Sequence, residues 1–241
     1  MKKRKAGIGI FVIVLIITAV RVKSMDSHRI SGRILAENIA GPGMLRLVEQ
    51  SMQARARKTS VTEIAVKERK HPQAALTFDD GPDIRYTPLL LDGLKERNVR
   101  VSFFLLGEKV EQYPELVERM QKEGHLVGNH TYHHVQLNKL NETKAREEIL
   151  KTNNLIYETT GVYPLYLRPP FGAWKKNLEL CVEMLPVFWT IDTLDWKVQN
   201  TEKIVRTVQE QIEDGAIILM HDEYDTSVEA ALQVVDELKN Q

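Results

Sequence analysis

At 241 residues, with 43% hydrophobic and 27% charged residues, the chain is long enough for one full domain and an appendage, and its composition excludes a wholly disordered protein. Lys+Arg and Asp+Glu balance at 33 each, yet residues 1–70 carry about +10 and residues 71–241 about −10, so two parts with different tasks are expected. The single cysteine, Cys181, excludes an intramolecular disulfide, and its apolar setting, "LELCVEML", suits a buried inert thiol rather than a nucleophile.

The chain opens "MKKRKAGIGIFVIVLIITAVRVKSMDS". Four basic residues precede an uncharged apolar run from Ala6 to Val20, the layout of an export signal. The run is short for a full membrane span of about 20 residues. It has no clean A-x-A site, and Arg21 and Lys23 follow at once, which favours a retained signal-anchor over a cleaved signal peptide. Residues 1–26 are therefore read as a signal peptide or signal-anchor helix that meets the cytoplasmic membrane. The basic end stays inside, and the rest of the protein lies on the extracytoplasmic side. Residues 27–70 read as a basic linker, either a solvated tether or a segment for anionic lipid or wall polymer.

From Ala74 the pattern alternates. "AALTF" is a β-prone run ending at the turn signal "DDGPD". "YTPLLLDGLKERN" has helical spacing, "VRVSFFLLG" is a strand, "YPELVERMQKEG" a helix and "HLVGNH" a short strand. A long helix, "NETKAREEILKTNNLIYETTG", leads to "YLRPPFG", a strand running into a loop. "KKNLELCVEML" is helical, "PVFWTIDTLDW" a strand, "TEKIVRTVQEQIEDG" a helix, "AIILMHD" a strand and "VEAALQVVDELKNQ" a closing helix. Repeated strand-then-helix units define residues 71–241 as an α/β domain with a parallel sheet or barrel.

In such folds chemistry sits at the C-terminal ends of the strands. The ionisable residues fall there: Asp79 and Asp80, His130, Arg168, Asp192 and Asp195, then His221 and Asp222. Histidines and carboxylates without a useful cysteine suit a zinc-like divalent ion held by three protein ligands. "NHTYHH" offers His130 with either His133 or His134, and spacing alone leaves that choice open. One aspartate of "DDGP" can complete the set, leaving the other as general base. Arg168 can pair with that base, and His221 can serve as proton donor to a leaving group. The sum is metal-assisted hydrolysis of an amide or ester.

Taken in order, these residues resemble the polysaccharide deacetylases with the NodB homology domain, carbohydrate esterase family 4. The resemblance runs from about Pro72 to the C-terminus and rests on five ordered motifs: "TFDDGP" at Thr77–Pro82, "HTYHH" at 130–134, "RPPFG" at Arg168–Gly172, "DTLDW" ending at Asp195-Trp196, and "LMHD" at Leu219–Asp222. It implies a distorted (β/α) barrel. It further implies Asp80, His130 and His134 as metal ligands, Asp79 as general base held by Arg168, and His221 as general acid tuned by Asp195. Trp196 and Leu219 would wall the pocket for the acetyl methyl, and the backbone N–H of Phe171 would stabilise an oxyanion. Position 171 is phenylalanine where the family commonly has tyrosine, so the backbone donor is kept and the hydroxyl is lost.

The expected activity is removal of N-acetyl groups from N-acetylglucosamine residues of a surface polysaccharide, peptidoglycan first and chitin-type oligomers next. The expected cofactor is a divalent metal, Zn²⁺ with Co²⁺ or Ni²⁺ as alternatives; the protein is expected to be a monomer with no nucleic-acid partner. An O-acetyl glycan esterase using the same site, or a non-catalytic glycan-binding protein, are the competing readings. An aspartate-nucleophile phosphohydrolase is disfavoured, because its D-x-D spacing is absent. His125 is expected to be structural, Trp174 and Trp189 to form core or groove wall, Asp222 to orient its loop, and Asp83 to cap a helix.

Overall fold

The structure, a computed structural model, describes residues 72–174, 182 and 184–240. The N-terminal signal or anchor, the basic linker and Cys181 lie outside the described residues, as does most of the helix expected over "KKNLELCVEML". Among the described residues no helix is long and apolar enough to cross a membrane.

The chain forms a seven-stranded, all-parallel sheet wrapped by helices. Its elements are β1 (Ala74–Asp79), α1 (Tyr86–Glu96), β2 (Ser102–Leu105), α2 (Gly107–Gln112), α3 (Pro114–Lys122), β3 (Leu126–Asn129), α4 (Glu142–Thr160), β4 (Tyr166–Leu167), β5 (Leu185–Pro186), β6 (Ile191–Asp192), α5 (Asp195–Val198), α6 (Thr201–Gln211), β7 (Ala216–His221) and α7 (Asp225–Lys239). The strand order is β5-β4-β3-β2-β1-β7-β6. This is the circular order of a barrel left open between β5 and β6, and the sheet curls into a half-barrel.

Strand alternation divides the side chains into two sets. Leu76 and Phe78 of β1, Phe103 and Leu105 of β2, and Ile218 and Met220 of β7 join one core with Leu90, Leu91 and Leu94 of α1, Met120 of α3 and Val234 and Val235 of α7. Each fully buried side chain of this size contributes about 1.5–3 kcal/mol by leaving water. The alternate residues, Thr77, Asp79, Leu219 and His221, take the concave face. Register then matters: β1 and β7 pair Thr77 with Leu219 and Asp79 with His221, so one parallel ladder delivers two ionisable groups to the same end.

Local signals explain the helix ends. Asn141 caps α4 by accepting from Lys144 N at 2.9 Å, and Gly161 stops it in the left-handed conformation with φ 70°. Asn200 caps α6 by accepting from Lys203 N at 3.0 Å. Asp83 Oδ1 accepts from Arg85 N and Tyr86 N, each at 2.8 Å, where α1 begins.

Three sequence expectations are corrected. "PVFWTIDTLDW" is not one strand but β5, β6 and the short helix α5, because Leu194 enters the left-handed region (φ 52°) and ends the extended run. The strand expected through Leu106 and Gly107 stops at Leu105, since Leu106 already sits at the N-cap of the unforeseen helix α2. Leu185, expected at the end of a helix, lies instead in the sheet, where it pairs with Tyr166.

Candidate active site

The concave face places the strand-end residues around one point. Asp79 ends β1 almost wholly buried, and its Oδ1 accepts from Arg168 Nη1 at 2.7 Å. Arg168 is itself fully buried; Nη1 also reaches Thr77 Oγ1 at 2.7 Å, and the guanidinium lies 4.2 Å from the Phe104 ring centroid. A buried charge is retained only where it is paired and packed, and Arg168 meets both conditions.

Asp80 follows in the left-handed region, φ 69°. Its Oδ1 is buried without a hydrogen bond of good geometry. His130 Nε2 lies 3.3 Å from it and His134 Nε2 3.4 Å. His130 Nδ1 is 2.7 Å from the Arg168 carbonyl oxygen. A carbonyl can only accept, so Nδ1 carries a proton, and in the neutral tautomer the lone pair of Nε2 faces Asp80. Burial pushes His134 below the ordinary histidine range, against the pull of Asp80. Burial alone would push the Asp80 carboxyl up; contact with His130, and the charges of His130, His134 and His221, instead hold it well below the usual carboxylate range.

Two ring nitrogens and a carboxylate oxygen that converge on one point can offer their lone pairs to a cation when the imidazoles are neutral. The donor atoms of Asp80, His130 and His134 all lie within 4.8 Å of one another. Two imidazoles and a carboxylate are the donor set of a catalytic divalent-metal site, and the outward hydrogen bond of His130 is the orienting contact that such ligands make. The three residues fit a divalent metal.

His221 lies across the site, with Nε2 3.9 Å from Asp80 Oδ2. Its Nδ1 is 2.7 Å from Asp195 Oδ1, while Asp195 Oδ2 accepts from His221 N and Ser227 Oγ, each at 2.7 Å. Burial works against the charge on His221, yet the hydrogen bond to Asp195 and the charges of Asp195, Asp80 and Asp79 push it up to about 9. Leu219 is buried two residues before His221 on β7, whereas Trp196 and Phe171 are exposed at 49% and 62%. The Phe171 ring packs tilted against His134, with centroids 4.5 Å apart and 56° between the planes, and its backbone is in the left-handed region at φ 59°.

Seven described non-glycine residues have φ in the left-handed region, and five of them (Asp80, Thr131, His134, Phe171 and Leu194) sit in these loops. Such conformations cost about 1–3 kcal/mol each and persist where surrounding contacts over-determine them.

Of "NHTYHH", the structure turns His130 and His134 to Asp80 and His133 away, onto Glu148 Oε1 at 2.7 Å. His125 lies elsewhere, buried, accepting from Val101 N at 3.2 Å; burial pushes it down to about 4. Trp189 lies beneath Arg168, its centroid 5.8 Å from the guanidinium carbon, and Trp174 packs against the cluster of Leu137, Ile149 and Leu167. Thr77, Ser227 and Glu148 were not singled out from the sequence. Thr77 could have been found as the inward-facing position two before Asp79; Ser227 and Glu148 carry no local signal.

The same architecture recurs in known proteins. Residues 66–188 match the sequence profile of the family described as polysaccharide deacetylase. A peptidoglycan-N-acetylglucosamine deacetylase of Bacillus cereus is 41% identical over 174 residues, 69% of this chain and 63% of the relative. The peptidoglycan-N-acetylmuramic acid deacetylase PdaC of Bacillus subtilis is 41% identical over 167 residues, 69% of this chain and 36% of the relative. The solved structure of peptidoglycan deacetylase PdaC matches with a TM-score of 0.68 at 40% identity, covering 70% of this chain and 84% of that one. The chain belongs to the polysaccharide deacetylase family, and its curled half-barrel is of the NodB type. It spans less than two thirds of the length of the two curated relatives.

Proposed function

We propose that the protein is a metal-dependent hydrolase that removes N-acetyl groups from N-acetylglucosamine residues of peptidoglycan, with chitin-type oligomers as the next substrate class. The observation that carries this reading is the juxtaposition of a three-donor cation site with two differently partnered proton carriers, Asp79 and His221. A divalent ion held by Asp80, His130 and His134, with Zn²⁺ favoured by the two imidazoles, would supply Lewis acidity to water and to the acetyl carbonyl.

The protein groups divide the remaining work. Asp79, held by Arg168, takes the proton from the attacking water. His221, kept protonated and oriented by Asp195, donates to the departing amine nitrogen. The Phe171 N–H stabilises charge developing on the carbonyl oxygen, and Leu219 and Trp196 wall the space for the acetyl methyl. Residues 71–241 form the catalytic unit in this reading. Residues 1–26 hold it at the outer side of the cytoplasmic membrane through residues 27–70, and it acts as a monomer.

The relatives support the polymer but divide over the sugar, since one is named for N-acetylglucosamine and another for N-acetylmuramic acid. Peptidoglycan and N-acetylglucosamine oligomers, incubated with the full chain and Zn²⁺ and analysed by mass spectrometry, distinguish the outcomes. Free amine on N-acetylglucosamine is expected, lost on chelation. Free amine only on the muramic acid would move the assignment to that sugar. Acetate from acetyl-xylan without any new amine would make the protein an esterase.

A further inference from the structure

The geometry points to Glu148, on α4, as the residue that positions the metal-ligand turn. This rests on the assignment of His130 and His134 as ligands. Those two histidines flank three residues, and the turn enters the left-handed region at Thr131 (φ 68°) and again at His134 (φ 53°). A turn of that shape does not satisfy its own backbone groups, so its hydrogen bonds must come from outside.

They come from two helices. The N-terminus of α2 supplies donors: Gly107 N–H to Thr131 O at 2.9 Å and Glu108 N–H to Tyr132 O at 3.3 Å. Glu148 supplies acceptors: its Oε2 receives Tyr132 N–H at 3.1 Å and His133 N–H at 2.9 Å, while Oε1 meets His133 Nδ1 at 2.7 Å. One carboxylate, only 16% exposed, thus makes three contacts to the turn from a helix 15 residues away in sequence. The same helix holds the entrance to the turn. Asn129 Nδ2 donates to Ile149 O at 2.9 Å and to Asn153 Oδ1 at 2.7 Å, and Asn129 Oδ1 accepts Thr131 N–H at 2.7 Å.

Charge-assisted hydrogen bonds to backbone amides are among the stronger ones, and two on one oxygen fix both peptide planes between the ligands. The separation of the His130 and His134 rings, 5.1 Å between centroids, is set by those planes. Glu148 makes no contact with Asp80 or His221 and therefore acts through the turn: it is a positioning residue, not a catalytic one. The exposed His133 ring is the outer part of the same clamp, which gives the third histidine of "NHTYHH" a role without making it a ligand.

The test is Zn²⁺ affinity of the full chain, measured by competition with a chromophoric chelator, together with the visible spectrum of the Co²⁺-loaded protein. Contacts that orient metal ligands typically change affinity about 10–100-fold, and a loss in that range is expected for Glu148→Ala, with an altered Co²⁺ spectrum. Glu148→Gln, which keeps an acceptor for the amides, recovers most of the affinity, and His133→Ala loses less than Glu148→Ala. Glu148→Ala that is folded, by circular dichroism, and binds Zn²⁺ as tightly as the wild type overturns the inference. Should that variant fail to fold, Glu148→Asp, whose shorter side chain cannot span the three contacts, is judged by the same criterion. A purely structural role would lower the melting temperature of the metal-free protein and leave the affinity of the folded protein unchanged, which also overturns it. Wild-type Zn²⁺ binding without acetate release counts against the proposed hydrolase and not against the clamp; acetate release with unchanged affinity in Glu148→Ala counts against the clamp alone.

Discussion

Arg168 and His130 are joined by a 2.7 Å hydrogen bond in which the arginine's backbone carbonyl, not its side chain, accepts from the imidazole. The guanidinium of the same residue holds Asp79. One residue of the "RPPFG" segment therefore orients the His130 ring through its backbone and holds Asp79, the proposed base, through its side chain. Substitution separates the two functions, because only the second depends on the side chain.

Arg168→Ala is expected to leave Asp79 buried without its partner. Breaking a buried pair in this way costs about 3–5 kcal/mol, read as a lower urea midpoint, and activity should be lost even where the protein remains folded. Arg168→Lys keeps the charge but loses the planar guanidinium whose Nη1 reaches both Asp79 and Thr77 and whose face packs on Phe104, so only partial recovery is expected. Wild-type stability in Arg168→Ala would show that the pair is not holding the sheet end together.

His221 provides a pH signature. Its pKa in the folded protein is pushed up to about 9, against 6.5 for an ordinary histidine, with Asp195 the main source of the rise. A raised histidine pKa stabilises the fold fully below 6.5, and that contribution disappears as pH climbs through about 9. In metal-free protein, the His221 ring should titrate near 9 by NMR. Loss of an adjacent carboxylate charge typically moves a pKa by about 1–3 pH units, so Asp195→Asn should titrate correspondingly lower, and its stability deficit should be greatest near pH 6. An unchanged midpoint in Asp195→Asn would remove Asp195 from its assigned role.

Asp222 has its pKa raised above that of an ordinary surface carboxylate. It is fully buried, bonded to Thr87 Oγ1, with Oδ1 unpartnered, and burial pushes it up to about 7. An acid whose pKa rises on folding destabilises the protein as pH rises from about 4 through 7. The melting temperature of the wild type should therefore fall between about pH 4 and 7 more steeply than that of Asp222→Asn. Parallel slopes in the two proteins would contradict this.

Gly107 is predicted to tolerate no side chain. A Cβ there would lie 2.4 Å from Tyr132 Cδ2, 2.5 Å from Thr152 Oγ1 and 3.1 Å from Tyr132 Cα, between α2, α4 and the ligand turn. Gly107→Ala should cost about 1–3 kcal/mol by overpacking and also weaken Zn²⁺ binding, since the turn is one of the parts that must move. Denaturant titration and chelator competition on the same sample check both effects; a stable variant with unaltered affinity would show that the neighbouring side chains give way instead.

Much of this was legible in the sequence because β1 and β7 are apolar runs that end abruptly in "DD" and "HD", so the strand ends and their ionisable residues are read together. The open half-barrel was less legible. β4, β5 and β6 have two residues each, too few for any period, and their pairing is set by neighbours rather than by propensity. The choice between His133 and His134 was hidden for a related reason: two left-handed residues break every regular spacing across the turn. Glu148 was hidden because, among the many charged residues of α4, nothing local marks the one whose carboxylate faces another loop.

The central claim is that Asp80, His130 and His134 hold a metal that this protein needs to remove acetyl groups from an aminoglycan. Its most direct test is a paired count of acetate released and free amine formed on N-acetylglucosamine oligomers by chelator-treated full chain, before and after Zn²⁺ is added back. One-to-one acetate and amine that appear only with Zn²⁺, and not in Asp80→Asn, are predicted. Acetate and amine formed equally well without metal, or none formed by protein shown to contain Zn²⁺, would contradict the account.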